Sequence, residues 1–222
     1  MQTKAKIIKE IIKEIIKSAF GLFLFSIGVY LTIQANIGLA PWDCLSMGIS
    51  YRVGMSYGIV HTIISILILG IDILLKEKIG YGTILDALLV GNYVDLIDRI
   101  VSIPSCNSIP LRCAMIIIGL FIMGYGQVFY MDAAQGCGPR DSLLIALGKR
   151  FPNTPIGVVQ TVIVGIALLL GWLLGGPVGI GTVISVFGLG TALQIVCKLL
   201  KFEPRAVVHK NILETNRIFF RK

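Results

Sequence analysis

Two short stretches carry most of the chemistry open to this chain. Residues 38–43 read GLAPWD and residues 136–141 read GCGPRD, so a glycine, a proline and an aspartate recur at one spacing while Trp42 gives way to Arg140. Gly38 with Ala40, and Gly136 with Gly138, let the backbone pass close to its neighbours. Pro41 and Pro139 suit the first turn of a helix, where a missing N–H is no loss. Asp43 and Asp141 then meet the free amide donors and the positive dipole end of that turn. The motif is a helix start, written twice. Two such starts brought face to face make a centre of two acids, one base and two dipole ends, able to hold a small polar or charged solute. The sign of that solute stays open, because the amides favour an anion and the carboxylates a cation. The candidate binding residues are Gly38, Pro41, Trp42, Asp43, Gly136, Gly138, Pro139, Arg140 and Asp141. A plainer reading stands beside this one, in which Asp43 and Asp141 only cap helices and Arg140 only marks a membrane surface.

Other polar residues fall inside apolar runs, where each is a candidate for function. His61 and Gln160 hold equivalent positions in the two halves, and Asp86 is the second titratable group well inside. These three are candidates for coupling proton movement or lining a pathway, against the alternative of a hydrogen-bonded packing histidine. Enzymatic motifs are missing. The run GGPVGIGTVISVFGLG has no lysine for a phosphate loop, and neither HExxH nor a nucleophile elbow occurs. The five cysteines, Cys44, Cys106, Cys113, Cys137 and Cys197, have no CxxC spacing and read as packing thiols. The expectation is therefore no enzyme, no cofactor and no metal.

The elements that must position these residues are membrane helices. Of the 222 residues 55% are hydrophobic and 14% charged, and the mean hydropathy is +0.86, which no soluble domain of this length carries. Runs such as 18–35, 113–132, 156–174 and 182–200 have the length of about 20 residues that crosses a bilayer. The net charge of +8 comes from chain ends and short connections, not from one basic stripe, so nucleic acid is not an expected partner.

The chain is also duplicated. A shift of 98 residues superposes Gly21 on Gly119, Gly28 on Gly126, Gly38 on Gly136, Pro41 on Pro139 and Asp43 on Asp141. After one inserted residue, a shift of 99 matches Gly58 with Gly157, Gly80 with Gly179, Gly82 with Gly181, Thr83 with Thr182 and Gly91 with Gly190. Each unit reads as a long apolar helix, the motif with a short helix (42–52; 140–150), a second long helix (57–75; 156–174), a G-x-G-T turn and a third helix (83–97; 182–200). The short helices reach only about half a bilayer and must re-enter or lie at the interface.

The predicted fold class is thus an all-α, multi-pass membrane bundle of two repeats. Each repeat has three spans plus one short re-entrant half-helix, and an odd span count inverts the second repeat relative to the first. With both termini cytoplasmic, only Arg52, Arg99 and Arg112 of the 20 lysines and arginines lie outside. An eight-span arrangement leaves only Lys76, Lys78 and Arg140 outside, so charge does not choose between the two, and helix length favours six. The divisions are an amphipathic cytoplasmic segment at 1–17, the first membrane repeat at 18–98, an extracellular linker at 99–112, the second repeat at 113–200 and a basic cytoplasmic tail at 201–222. The first segment reads equally as a helix lying on the leaflet or as a solvated extension of the first span.

GLAPWD and GCGPRD, with GYGT, VGIGT and the intervening GWLLGG, resemble the YczE/YyaS/YitT family of bacterial multi-pass membrane proteins, and its YczE-like branch in particular. The resemblance covers roughly residues 18–200. It implies a bacterial cell-membrane location and supplies no catalytic residues. The functional expectation is a transporter or exporter of a small polar or charged solute, with a non-transporting membrane scaffold or regulatory factor as the alternative. Expected partners are the lipid bilayer, the solute, and a second copy or another membrane protein.

Overall fold

The computed structural model describes residues 2–103, 108–207 and 210–212. Cys106, the middle of the expected 99–112 linker, and Arg217, Arg221 and Lys222 of the expected tail lie outside the described residues. The described chain is helical throughout: α1 (Gln2–Ala35), α2 (Pro41–Val53), α3 (Tyr57–Leu74), α4 (Tyr81–Ile100), α5 (Ile109–Asp132), α6 (Pro139–Arg150), α7 (Ile156–Leu173) and α8 (Ile180–Leu199), followed by a single 3-10 turn at Pro204–Ala206. Among the described residues there is no strand.

Five of these helices, α1, α3, α5, α7 and α8, are long and apolar enough to cross a bilayer. The sixth expected span, α4, has the length at 20 residues but carries Asp86, Asp95, Asp98 and Arg99. It packs between α1 and α3, and two of its three acids have hydrogen-bond partners there: Asp95 accepts from Gly58 N–H at 2.8 Å and from the Ser56 hydroxyl, and Asp98 accepts from Gln34 Nε2 at 3.0 Å. Asn92, Asp98 and Arg99 are nevertheless exposed, and α4 is not among the helices apolar enough to cross on composition alone. With 13 and 12 residues, α2 and α6 rise only about 20 and 18 Å, short of the hydrocarbon thickness.

The most extensive seam joins α1 to α5. Gly28 faces Gly119 and Gly21 faces Gly126, so the two helices cross antiparallel with their backbones in contact; a Cβ on Gly28 would lie 2.4 Å from the Gly119 carbonyl oxygen. Carbonyl and amide surfaces this close exclude lipid and give dense van der Waals contact, the means by which helices associate where no hydrophobic effect separates protein from solvent. Lys17 and Asp132 pair at one end of the seam. Against it pack α4 on α1 and α8 on α5, around a core that includes Val29, Leu39, Ile116, Leu120 and Met123.

The two copies of the motif interlock crosswise. Asn36 (φ 49°) and Ala134 (φ 55°) end α1 and α5 in left-handed conformation, and Gly38 (φ 112°) and Gly136 (φ 111°) take conformations open only to glycine. Each extended turn then docks on the G-x-G-T turn of the other copy: Gly181 N–H donates to Ile37 O and Gly82 N–H to Gln135 O, both at 2.7 Å. Thr83 and Thr182 accept from the N–H of Gly80 and Gly179, closing equivalent caps at 3.2 Å. Non-helical backbone at these depths is therefore paired with protein, as an apolar surrounding demands. In the same crosswise sense α2 packs on α7, where Gly171 and Gly176 admit Cys44, and α6 packs on α3.

Candidate functional site

Pro41 and Pro139 open α2 and α6, and neither helix has a side-chain cap, since Ala40 and Gly138 stand at the N-cap positions. The first turns of both helices are brought together at one place. The Arg140 guanidinium lies over the Trp42 ring at 5.1 Å from its centroid, and Arg140 Nη1 is 3.9 Å from Asp43 Oδ1. The same carboxylate oxygen accepts the Tyr57 hydroxyl at 2.8 Å. Tyr57 and His61, one turn apart at the start of α3, have ring centroids 5.7 Å apart. From α4, Asp86 sets its carboxylate against Gly138, where an added Cβ would come within 3.1 Å of Oδ2.

Arg140 thus sets a guanidinium among several acids, within electrostatic reach of Asp43, Asp86, Asp141 and His61. Burial makes the arrangement costly if left unpaired: Asp43 is 4% and His61 3% exposed. A separation of 3.9 Å is long for an ion pair, and two buried nitrogens, Arg140 Nη2 and His61 Nδ1, have no hydrogen-bond partner among the described residues. The centre therefore has hydrogen-bonding capacity, a guanidinium N–H and an imidazole nitrogen, left unused beside its acids. Among the described residues no group of three or more His, Cys, Asp or Glu side chains is placed to hold a metal ion.

Of the candidates read from sequence, Trp42, Asp43, Gly138, Arg140, His61 and Asp86 converge here. Gly38 and Gly136 hold the turns that lead in, and Pro41 and Pro139 are buried at the helix starts. Asp141 adjoins the centre but keeps an exposed side chain, and Gln160 is exposed on α7, away from its counterpart His61. Two residues were not anticipated. Tyr57 is one; its counterpart in the second copy is Ile156, so a comparison of positions where the copies differ would have found it as it found Arg140. The other is Asp72, fully buried near the end of α3 with both carboxylate oxygens unpartnered, at the position where α7 has Gly171. A lone aspartate in the run ILILGIDILL was its signal.

Five long apolar helices packed around buried charge define a multi-pass integral membrane protein. Comparison with known sequences agrees. Residues 12–198 match the family described as "Family of unknown function (DUF6198)". The chain is 30% identical over 181 residues to the "Uncharacterized membrane protein YczE" of Bacillus subtilis (strain 168), covering 78% of this chain and 80% of that one. It is 30% identical over 200 residues to "Uncharacterized protein YyaS" of the same organism (89% and 94% covered) and 29% identical over 191 residues to an "Uncharacterized protein" of Haemophilus influenzae (strain ATCC 51907 / DSM 11121 / KW20 / Rd), with 86% of each covered. No solved structure matches it. The chain belongs to the DUF6198 family, and its similarity to YczE and YyaS makes it YczE-like.

Proposed function

We propose that the protein is a carrier of a small polar or charged solute, bound where the first turns of α2 and α6 meet. The observation that carries this reading is the contact of Trp42 and Arg140 beside Asp43, which sets a guanidinium, an aromatic face and a carboxylate together between two uncapped helix starts. Free amide donors and opposed dipole ends near buried charge are the means by which carriers hold a solute away from water.

The same contact favours an inverted repeat. Trp42 and Arg140 are equivalent positions, and two equivalent residues that touch each other lie on the axis relating the copies. Gly21 facing Gly126 while Gly28 faces Gly119 makes α1 and α5 antiparallel mates across that axis, which then lies across the helices and in the membrane plane. On this reading six helices cross, α2 and α6 enter from opposite faces, and both termini are cytoplasmic.

The test is a thermal-shift screen of small charged solutes on purified protein, repeated on the Arg140→Ala and Asp43→Asn variants. A solute that stabilises the wild type and loses its effect in both variants, with uptake into proteoliposomes to match, supports the site. A solute whose shift and flux survive both substitutions sinks it.

A further inference from the structure

The two copies differ most in one seam. In the first, α3 and α4 are packed backbone to backbone: a Cβ on Gly58 would lie 2.2 Å from the Gly91 carbonyl oxygen, and one on Gly91 2.4 Å from that of Gly58. Asp95 latches the seam from α4, accepting from Gly58 N–H at 2.8 Å and from the Ser56 hydroxyl. The equivalents in the second copy are Gly157 and Gly190, and no atom of a neighbouring element comes within 4 Å of the Cβ position of either. No packed seam joins α7 to α8. The latch differs too, since Ser56 and Asp95 correspond to Pro155 and Gln194.

Exposure follows the same division at some of the paired positions, though not at Asp86, which is half-buried while its counterpart Ser185 is buried. Asp43 and His61 of the first copy are buried, whereas their counterparts Asp141 and Gln160, and Gln194 opposite Asp95, are exposed. Glycine within a helix costs about 1 kcal/mol relative to alanine, and at Gly190, midway along α8, nothing in this conformation repays it. A glycine facing open space on each of two helices, at the two positions whose mates form a backbone seam, is accounted for by a conformation in which these two also meet.

We infer that the space between α7 and α8 is the entrance to the polar centre, and that it closes, Gly157 against Gly190, in a second conformation in which α3 and α4 part. This deepens the carrier reading and rests on it: exchange of the two seams between related copies would open the centre first to one membrane face and then to the other. The device is bistable because each seam is a close-packed contact, with no half-formed state of similar energy.

The distance measurement itself needs no solute. Native cysteines are replaced, and nitroxide labels are placed on cysteines substituted for Thr161 and Thr191, exposed residues on α7 and α8 whose hydroxyls bond only back to their own helices, to Gly157 O and Phe187 O. Pulsed electron spin resonance in lipid nanodiscs should resolve a long and a short distance. Gly157→Leu and Gly190→Leu, for which this conformation has room, should abolish the short population without lowering thermal stability. Gly58→Leu, a wedge in the closed seam, should enrich the short population, and Asp95→Ala, which removes the latch without adding bulk, should do so even if the wedge fails to fold. A single distance that none of these variants moves overturns the proposal. So does a short distance that vanishes on dilution with unlabelled protein, which would assign the face to a second copy of the chain. If the distances stay single while Arg140→Ala still removes a solute's thermal shift, the entrance is wrong and the carrier site stands. If they exchange while that shift survives Arg140→Ala, the site is wrong and the movement stands.

Discussion

Arg140 and Trp42 occupy the same position in the two copies of one motif and lie against each other, the guanidinium 5.1 Å from the ring centroid. A duplicated turn has thus diverged at the point where its copies meet. Had both kept tryptophan, the centre would have acids and no fixed cation; had both taken arginine, two cations would face each other with their desolvation uncompensated.

Asp43 and the two groups that contact it, Tyr57 and Arg140, should act as a unit. Tyr57→Phe removes the hydrogen bond to a buried carboxylate and should cost about 1.5–3 kcal/mol. Arg140→Ala should cost a similar amount, by leaving Asp43 without its cation. In an Asp43→Asn background both costs should shrink by at least half, a non-additivity that a double-mutant cycle of denaturation midpoints in detergent would measure. Full additivity would show that Asp43 is not what the other two serve.

The α1–α5 crossing should tolerate no side chain. Gly28→Val or Gly126→Val drives a Cβ into backbone within 2.4–2.5 Å and should destabilise by about 1–3 kcal/mol or prevent folding outright. Gly70, whose Cβ position meets nothing within 4 Å on α3, is the matched control. Gly70→Ala should be neutral or stabilising by up to about 1 kcal/mol. Thermal denaturation of the three variants followed by tryptophan fluorescence decides it.

The interlocked turns predict an equivalence between distant sites. Thr83→Val and Thr182→Val each remove the acceptor for one glycine N–H, at 3.2 Å in both places, and should cost about 1 kcal/mol apiece. Because the sites lie in opposite copies, the costs should add within about 0.5 kcal/mol in the double variant. A large effect at one site and none at the other would mean that the two turns are not mechanically equivalent.

On the proposed reading of six crossings with a cytoplasmic N-terminus, the α3–α4 connection lies on the cytoplasmic side. A single cysteine at Lys78 in a cysteine-free background should react with a membrane-impermeant maleimide only after the cells are opened. Reaction in intact cells would require the eight-span arrangement, in which α2 and α6 cross despite a rise of about 20 Å or less.

The starts of α2 and α6 were legible residue by residue, because proline restricts φ and a glycine marks a turn that other residues rarely adopt; Pro41 and Pro139 begin helices, and Gly38 and Gly136 have the positive φ such turns use. The membrane class was equally legible, since composition alone excludes a soluble core. Tyr57 and Asp72 were not, because what singles them out is burial beside a partner or without one, and a spacing rule carries no information about burial.

What the sequence determined by itself, then, is local: where helices break, and that the breaks come twice in register. What only the tertiary structure decided is which break faces which. The turn at Gly38 docks on the one at Gly179, not on Gly80 of its own copy, and Gly58 finds Gly91 while Gly157 and Gly190 stay apart. Backbone preference acts over a few bonds and is written in the residue that has it. Contacts between segments a hundred residues apart depend on how whole helix surfaces fit together, and identical glycines therefore meet in one copy and not in the other.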